Sequence, residues 1–181
     1  MILMLNYIYK FLFFSFIINF LSLSYADDKV AYIDMDLILS QSNASKSLFN
    51  QLKEIENTNF KNFTSNEKKL KDEENKILSS QNILSKDEYA KKVNIFRDDL
   101  RNYQTKKKEI INKYNKKKNN EIIRYIKLIS PIINEFMEKN SIGILIEKKN
   151  IFIAKSNYDI TENVLEIINK QIKEFKILND K

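Results

Sequence analysis

At 181 residues, the chain has room for one ordinary domain, and it carries one Gly, one Pro, no Cys and no His. Those counts exclude disulfides, thiolate or imidazole catalysis, Cys- or His-ligated metals and a glycine-rich phosphate loop, and they favour long uninterrupted helices over turn-rich sheets. The formal net charge of +7 is not spread evenly: the span from Lys86 to Lys127 holds fourteen basic and six acidic residues, a concentration that a general coding preference for Lys would not produce.

The N-terminus reads as an export signal. Lys10 precedes an apolar run from Phe11 to Leu21, and Ser24 and Ala26 supply small residues ahead of Asp27 and Asp28. Cleavage after Ala26 is expected. The run after Lys10 is shorter than the roughly 20 residues of a spanning helix. Exported chain would therefore begin at Asp27 and work outside the cytoplasm.

From Lys29 to Met35 the chain is short, apolar and alternating, which predicts one strand. Leu37 to Leu39 leads into a helical pattern. From about Ser45 to Leu78 there is neither Gly nor Pro, and Phe49, Phe63, Leu70 and Ile77 share one seven-residue repeat, with Glu56 in the same register. Residues 79–85 break the pattern as a tip. Ser85 and Glu88 then form a Ser-x-x-Glu capping box, so a second helix is expected to start near Lys86.

The seam of that helix is cleaner. Tyr89, Val93, Phe96, Leu100, Tyr103, Lys107, Ile110, Tyr114 and Lys117 alternate steps of four and three. A steady period of 3.5 means a left-handed supercoil against a partner, and the nearest partner is the preceding helix. The two are expected to pack as an antiparallel hairpin, each arm reaching about 50 Å at 1.5 Å per residue. Pro131 should kink or restart the helix, and the helix should end near Asn140. Ile142 to Glu147 and Ile151 to Ala154 flank Lys148-Lys149-Asn150 and read as a β-hairpin. Capping residues from Asp159 to Glu162 precede a final helix marked by Val164, Leu165, Ile168 and Ile172.

The resulting fold class is α+β and mostly helical. A single domain over 27–181 comprises a small β body (27–45 and 136–181), a helical hairpin arm (about 46–135) and a C-terminal helix. A body of that size buries too little surface to be comfortable alone. Oligomerisation is expected, with Val30, Tyr32, Ile33, Ile144, Ile146, Ile151 and Ile153 from several copies sharing one core.

This layout resembles the Skp/OmpH family of periplasmic chaperones. The segment Lys29-Val-Ala-Tyr-Ile-Asp34-Met35 resembles its opening strand, and Ser85-Lys-Asp-Glu88 its helix start after the tip. Pro131, the stretch Asn140-Ser-Ile-Gly143-Ile-Leu-Ile and the stretch Tyr158-Asp-Ile-Thr161-Glu-Asn-Val-Leu165 resemble its C-terminal strand and final helix. The resemblance covers essentially all of the chain after the signal. It implies a jellyfish-like homotrimer whose three arms surround a cavity that holds unfolded outer-membrane proteins without ATP. It also implies a basic lipopolysaccharide-binding cluster, to which no position here is assigned.

Candidate contact residues lie along the arm. Lys106, Lys107, Lys113, Lys116 and Lys117 belong to a stretch of seven Lys and one Glu that would attract acidic chains, anionic lipid or lipopolysaccharide by its long-range field. Lys107 and Lys117 occupy seam positions, where charge loosens packing and lets an arm bend. Phe60, Phe63, Tyr103 and Tyr114 offer apolar contact to a client, binding by many weak contacts at high effective concentration. The expectation is an ATP-independent holdase, not an enzyme, with no cofactor or metal. A structural or tethering coiled coil of the envelope is the alternative. Nucleic-acid binding by the Lys-rich helix is disfavoured by the export signal, and surface binding to membranes is compatible with a chaperone role.

Overall fold

The computed structural model describes residues 29–178, so the signal reading over 1–26 lies outside the described residues. In chain order it contains β1 (Lys29–Ile33), α1 (Met35–Gln41), α2 (Asn43–Ser79), α3 (Lys86–Lys139), β2 (Ile142–Glu147) and α4 (Thr161–Gln171). Short 3-10 turns occupy Lys148–Asn150 and Ser156–Tyr158.

Strand β1 stops before Met35 because Asp34 caps a helix. Its Oδ1 accepts from the Leu37 amide at 2.9 Å, which turns the chain into α1. Ser42 closes α1 and opens α2 within one residue. Its amide donates to the Ile38 carbonyl at 3.1 Å, and its hydroxyl accepts from the Ser45 amide at 3.3 Å. Helix α2 then runs 37 residues and α3 runs 54. At the expected capping box, Ser85 Oγ accepts from the Glu88 amide at 3.3 Å while Glu88 Oε2 accepts from the Ser85 amide at 3.2 Å.

Eight of the nine seam residues expected on α3 are half-buried; Ile110 is exposed. On α2, Phe63, Leu70 and Ile77 are half-buried to match. Tyr103 on α3 reaches Phe63 and Glu67 on α2, while Leu70 faces Phe96 and Leu100, as an antiparallel hairpin requires. Pro131 does not restart the helix: α3 continues through it as one element. The loss of one amide donor is tolerated at this exposed position, and the neighbouring Ser130 hydroxyl donates to the Ile126 carbonyl at 2.7 Å.

The core sits where the arm meets the body. Ala31 and Ile33 of β1, Ile38 of α1, and Val164, Leu165 and Ile168 of α4 pack on Leu48 and Leu52 of α2 and on Tyr125, Ile129, Ile132 and Ile133 of α3. The roots of both arm helices therefore supply much of the body's buried surface. In this core Tyr125 and Ser42, both fully buried, share a 2.5 Å hydrogen bond. Beyond it the character changes: none of residues 53–120 is fully buried.

The two strands pair in parallel, with Val30 opposite Ile144, Tyr32 opposite Ile146 and Ile33 opposite Glu147. Their connection is the whole helical arm. The expected β-hairpin of Ile142–Glu147 with Ile151–Ala154 does not form. Residues 148–150 make a 3-10 turn, Ile151 to Ala154 has no strand pairing, and β1 takes the place beside β2. Lys148 is drawn instead to the carboxylate that follows β1 and to one ahead of α4, 3.3 Å from Asp34 Oδ2 and 3.8 Å from Asp159 Oδ2. This leaves Phe152 and Ile153 in solvent.

Candidate functional site

Two surfaces carry the residues singled out in the sequence. The first lies on the arm. Lys106, Lys113 and Lys116 are exposed and fall on one side of α3. Lys107 is different. Its Nζ lies 2.6 Å from Glu67 Oε1 of α2, 5.3 Å from the Phe63 ring centre and 6.0 Å from that of Tyr103. The seam charge expected to loosen the arm thus has an opposite charge and two aromatic faces beside it, and it ties the helices together. Lys117 likewise donates to the Leu178 carbonyl at 2.9 Å.

Tyr103 completes the Lys107 cluster by donating to Glu67 Oε1 at 2.8 Å. Burial, and then the hydrogen bond to Glu67, push the Tyr103 phenol up to about 12. The hydrogen bonds from Lys107 and then from Tyr103 hold Glu67 below its ordinary value. Glu67 is the member that sequence reading missed. It stands four residues after Phe63 and three before Leu70, a polar member of the seam, and only the register of the hairpin brings it opposite Lys107.

Phe60, Phe63 and Tyr114 line one shallow groove together with Ile111. Phe60 is 69% exposed and Ile111 42% exposed, so the groove presents apolar surface to solvent beside the basic stretch. Burial and the charge of Glu56 raise the Tyr114 phenol. Tyr103 stands apart from this groove, within the ion-pair cluster described above.

The second surface is the outer face of the sheet. Val30 and Ile144 are exposed, Ile146 and Ile151 are half-buried, and Ile153 and Phe152 project fully into solvent. Tyr32, though largely buried, borders the same hollow with Tyr158. Ile33 does not belong to this face: it is 3% exposed and is used in the protomer's own core. Parallel sheets are ordinarily covered on both faces, and here helices cover only one.

Among the described residues, no helix is long and apolar enough to cross a membrane. No curated protein matches the chain in sequence. In fold it is similar to a candidate outer membrane chaperone (OmpH-like) from Caulobacter crescentus CB15. That crystal structure superposes with a TM-score of 0.76 at 14% identity, over 85% of this chain and 91% of the other. The family described as outer membrane protein (OmpH-like) matches residues 29–168. With that match spanning most of its length, the chain belongs to the OmpH-like family.

Proposed function

We propose that this protein is an ATP-independent holdase of the periplasm. In this reading it binds unfolded outer-membrane proteins between helical arms and keeps them from aggregating in transit. The observation that carries the proposal is the arm itself. Residues 53–120 form two long helices with no fully buried residue, and they leave Phe60, Ile95, Ile110 and Ile111 exposed among lysines. An arm that needed only to be a spacer would gain nothing from such surface. Apolar patches beside a basic stripe suit chains that expose both apolar and acidic segments. Family membership supports the same reading, and so does the chaperone description of the Caulobacter protein.

The finer assembly is a homotrimer in which the uncovered sheet faces of three copies close on one another, burying Val30, Ile144, Phe152 and Ile153. Three arms would then enclose the client. Anionic lipid or lipopolysaccharide is a further ligand that the Lys-rich stretch suits, and no specific nucleic acid is expected. The chain would arrive by cleavage after Ala26. Binding and release would need no nucleotide, because a client that folds withdraws its own apolar surface.

The test is to dilute a urea-unfolded outer-membrane β-barrel protein into buffer with and without the purified protein, following light scattering. Suppression at about one oligomer per client supports the holdase. Aggregation as fast as that of the client alone, at low and moderate salt, refutes it in favour of an envelope-tethering coiled coil.

A further inference from the structure

The final described segment, 172–178, follows α4 with neither helix nor strand, and it lies beyond residue 168, where the family match ends. Segments with neither helix nor strand are ordinarily loose unless something ties them down. This one is tied at both its side chains and its main chain. Phe175 is 3% exposed. Its ring meets Tyr125 edge-on with centroids 5.8 Å apart, and the Arg124 guanidinium lies 4.1 Å from its centre.

The main chain of the segment is held by side chains from both arm helices. From α2, Ser47 Oγ and Gln51 Nε2 donate to the Phe175 carbonyl at 3.1 and 2.6 Å, and Gln51 Oε1 accepts from the Ile177 amide at 3.1 Å. Gln51 thus pairs with the tail as a neighbouring strand would. From α3, Arg124 donates to the Lys176 carbonyl, and Lys117 Nζ donates to the Leu178 carbonyl at 2.9 Å. Glu121 Oε1 accepts from the Leu178 amide at 3.3 Å, while its Oε2 lies 2.6 Å from Arg124. Ser47 and Gln51 are one turn apart, and Lys117, Glu121 and Arg124 lie along one face. An aromatic anchor with main-chain hydrogen bonds is how a groove holds an extended peptide.

The position of the groove gives it a consequence. It lies at the level where α2 has its last buried residue, Leu52, and α3 its first, Glu121. The segment leaves α4, whose Val164, Leu165 and Ile168 are in the core, and crosses to both arm helices. We propose that the groove between the roots of α2 and α3 is a peptide-binding site whose ligand is the chain's own C-terminal segment, and that its occupancy clamps the arm to the body. With the groove filled, the arm leaves the body as one rigid unit. With it empty, the roots flex between Leu48 and Asn59 and between Tyr114 and Arg124. This proposal does not depend on what the arm binds.

The experiment is hydrogen–deuterium exchange on the full chain at fixed protomer concentration. It compares the parent with Phe175→Ala and with the double variant Ser47→Ala, Gln51→Ala. In both variants, exchange should rise about tenfold at 48–59 and 114–124 and stay unchanged at the tip and in the sheet. A synthetic peptide of residues 169–178 added to Phe175→Ala should restore protection, and the same peptide carrying Phe175→Ala should not. Exchange at the roots equal to the parent's overturns the proposal, and so does a rise spread evenly over body and arm. Should Phe175→Ala fail to fold, the Ser47/Gln51 variant decides alone, since it removes bonds to the tail and no core side chain.

Discussion

Removing either partner of the Tyr125–Ser42 hydrogen bond should cost different amounts, and the difference follows from what each leaves behind. Both residues are fully buried, and the bond is 2.5 Å long. In Tyr125→Phe the ring stays and one hydroxyl goes. Ser42 Oγ still donates to Ser45 Oγ at 2.8 Å and still accepts from the Ser45 amide, so it is not orphaned. The expected loss is that of one net hydrogen bond, about 1 kcal/mol. In Ser42→Ala the Tyr125 hydroxyl loses its 2.5 Å partner and keeps the Ser45 side chain, a loss of about 1 kcal/mol. The N-cap of α2 is lost as well, for about another 1 kcal/mol. Ser42→Ala should therefore be the costlier change by about 1 kcal/mol, the worth of the cap. The double variant should cost less than the sum of the two, because both single changes break the same bond. Urea unfolding followed by helix content, at one protomer concentration throughout, measures all three. Equal costs, or strict additivity, would refute the reasoning.

Four further outcomes are expected. Ser85→Ala removes the side-chain half of the capping box at the tip and should cost about 1 kcal/mol in a thermal melt, with faster amide exchange confined to the first turn of α3. Ser141 follows the end of α3 at a φ of 54°, in the left-handed region, so Ser141→Gly should stabilise the chain by about 0.5–1 kcal/mol in the same assay. The Tyr103 phenol is raised from an ordinary 10.0 to about 12, so the folded state holds its proton more tightly; this contribution is complete below pH 10.0 and is lost as pH rises towards about 12. Glu67 has the opposite sign: its contribution is present above its ordinary 4.5 and is lost as pH falls through its lowered folded value, so Tyr103→Phe should shrink the alkaline limb, to which the raised Tyr114 and Tyr125 phenols also contribute, and Lys107→Met should weaken the acid limb of a stability–pH profile. Glu substitutions at Lys106, Lys113 and Lys116 should weaken client capture in the scattering assay and flatten its salt dependence, and unchanged capture in low salt would count against the basic stripe.

The arm was readable because its signals are local. A period of 3.5 in Tyr89, Val93, Phe96, Leu100 and Tyr103 needs no knowledge of the rest of the chain. Ser85 and Glu88 are three residues apart, and their bonds close within one turn. The start of α3, its end at Lys139 and the position of the tip follow from such short-range chemistry. The candidate site was legible only in part. Phe60, Phe63 and Tyr114 do share a groove, but Lys107 is paired where loosening was expected, because Glu67 gives no sign in one dimension of the residue it faces.

What only the tertiary structure decided is pairing between distant segments. The apolar strands at Lys29–Ile33 and Ile142–Glu147 do not state their partners, and an apolar stretch at Ile151 to Ala154 competes for β2 in any local reading. The parallel choice depends on the arm bringing its two ends back to one place. The course of the chain after Gln171 is a second case. Phe175 continues the three-and-four spacing of Leu165, Ile168 and Ile172, which reads locally as more helix, and its place against Tyr125 and Arg124 exists only once both arm roots are assembled. By itself, then, the sequence determined the helices, their breaks and the seam, since those energies arise between residues a turn or two apart. The sheet partner, the seam ion pair and the docked tail arise between residues brought together by folding, so they depend on the assembled chain.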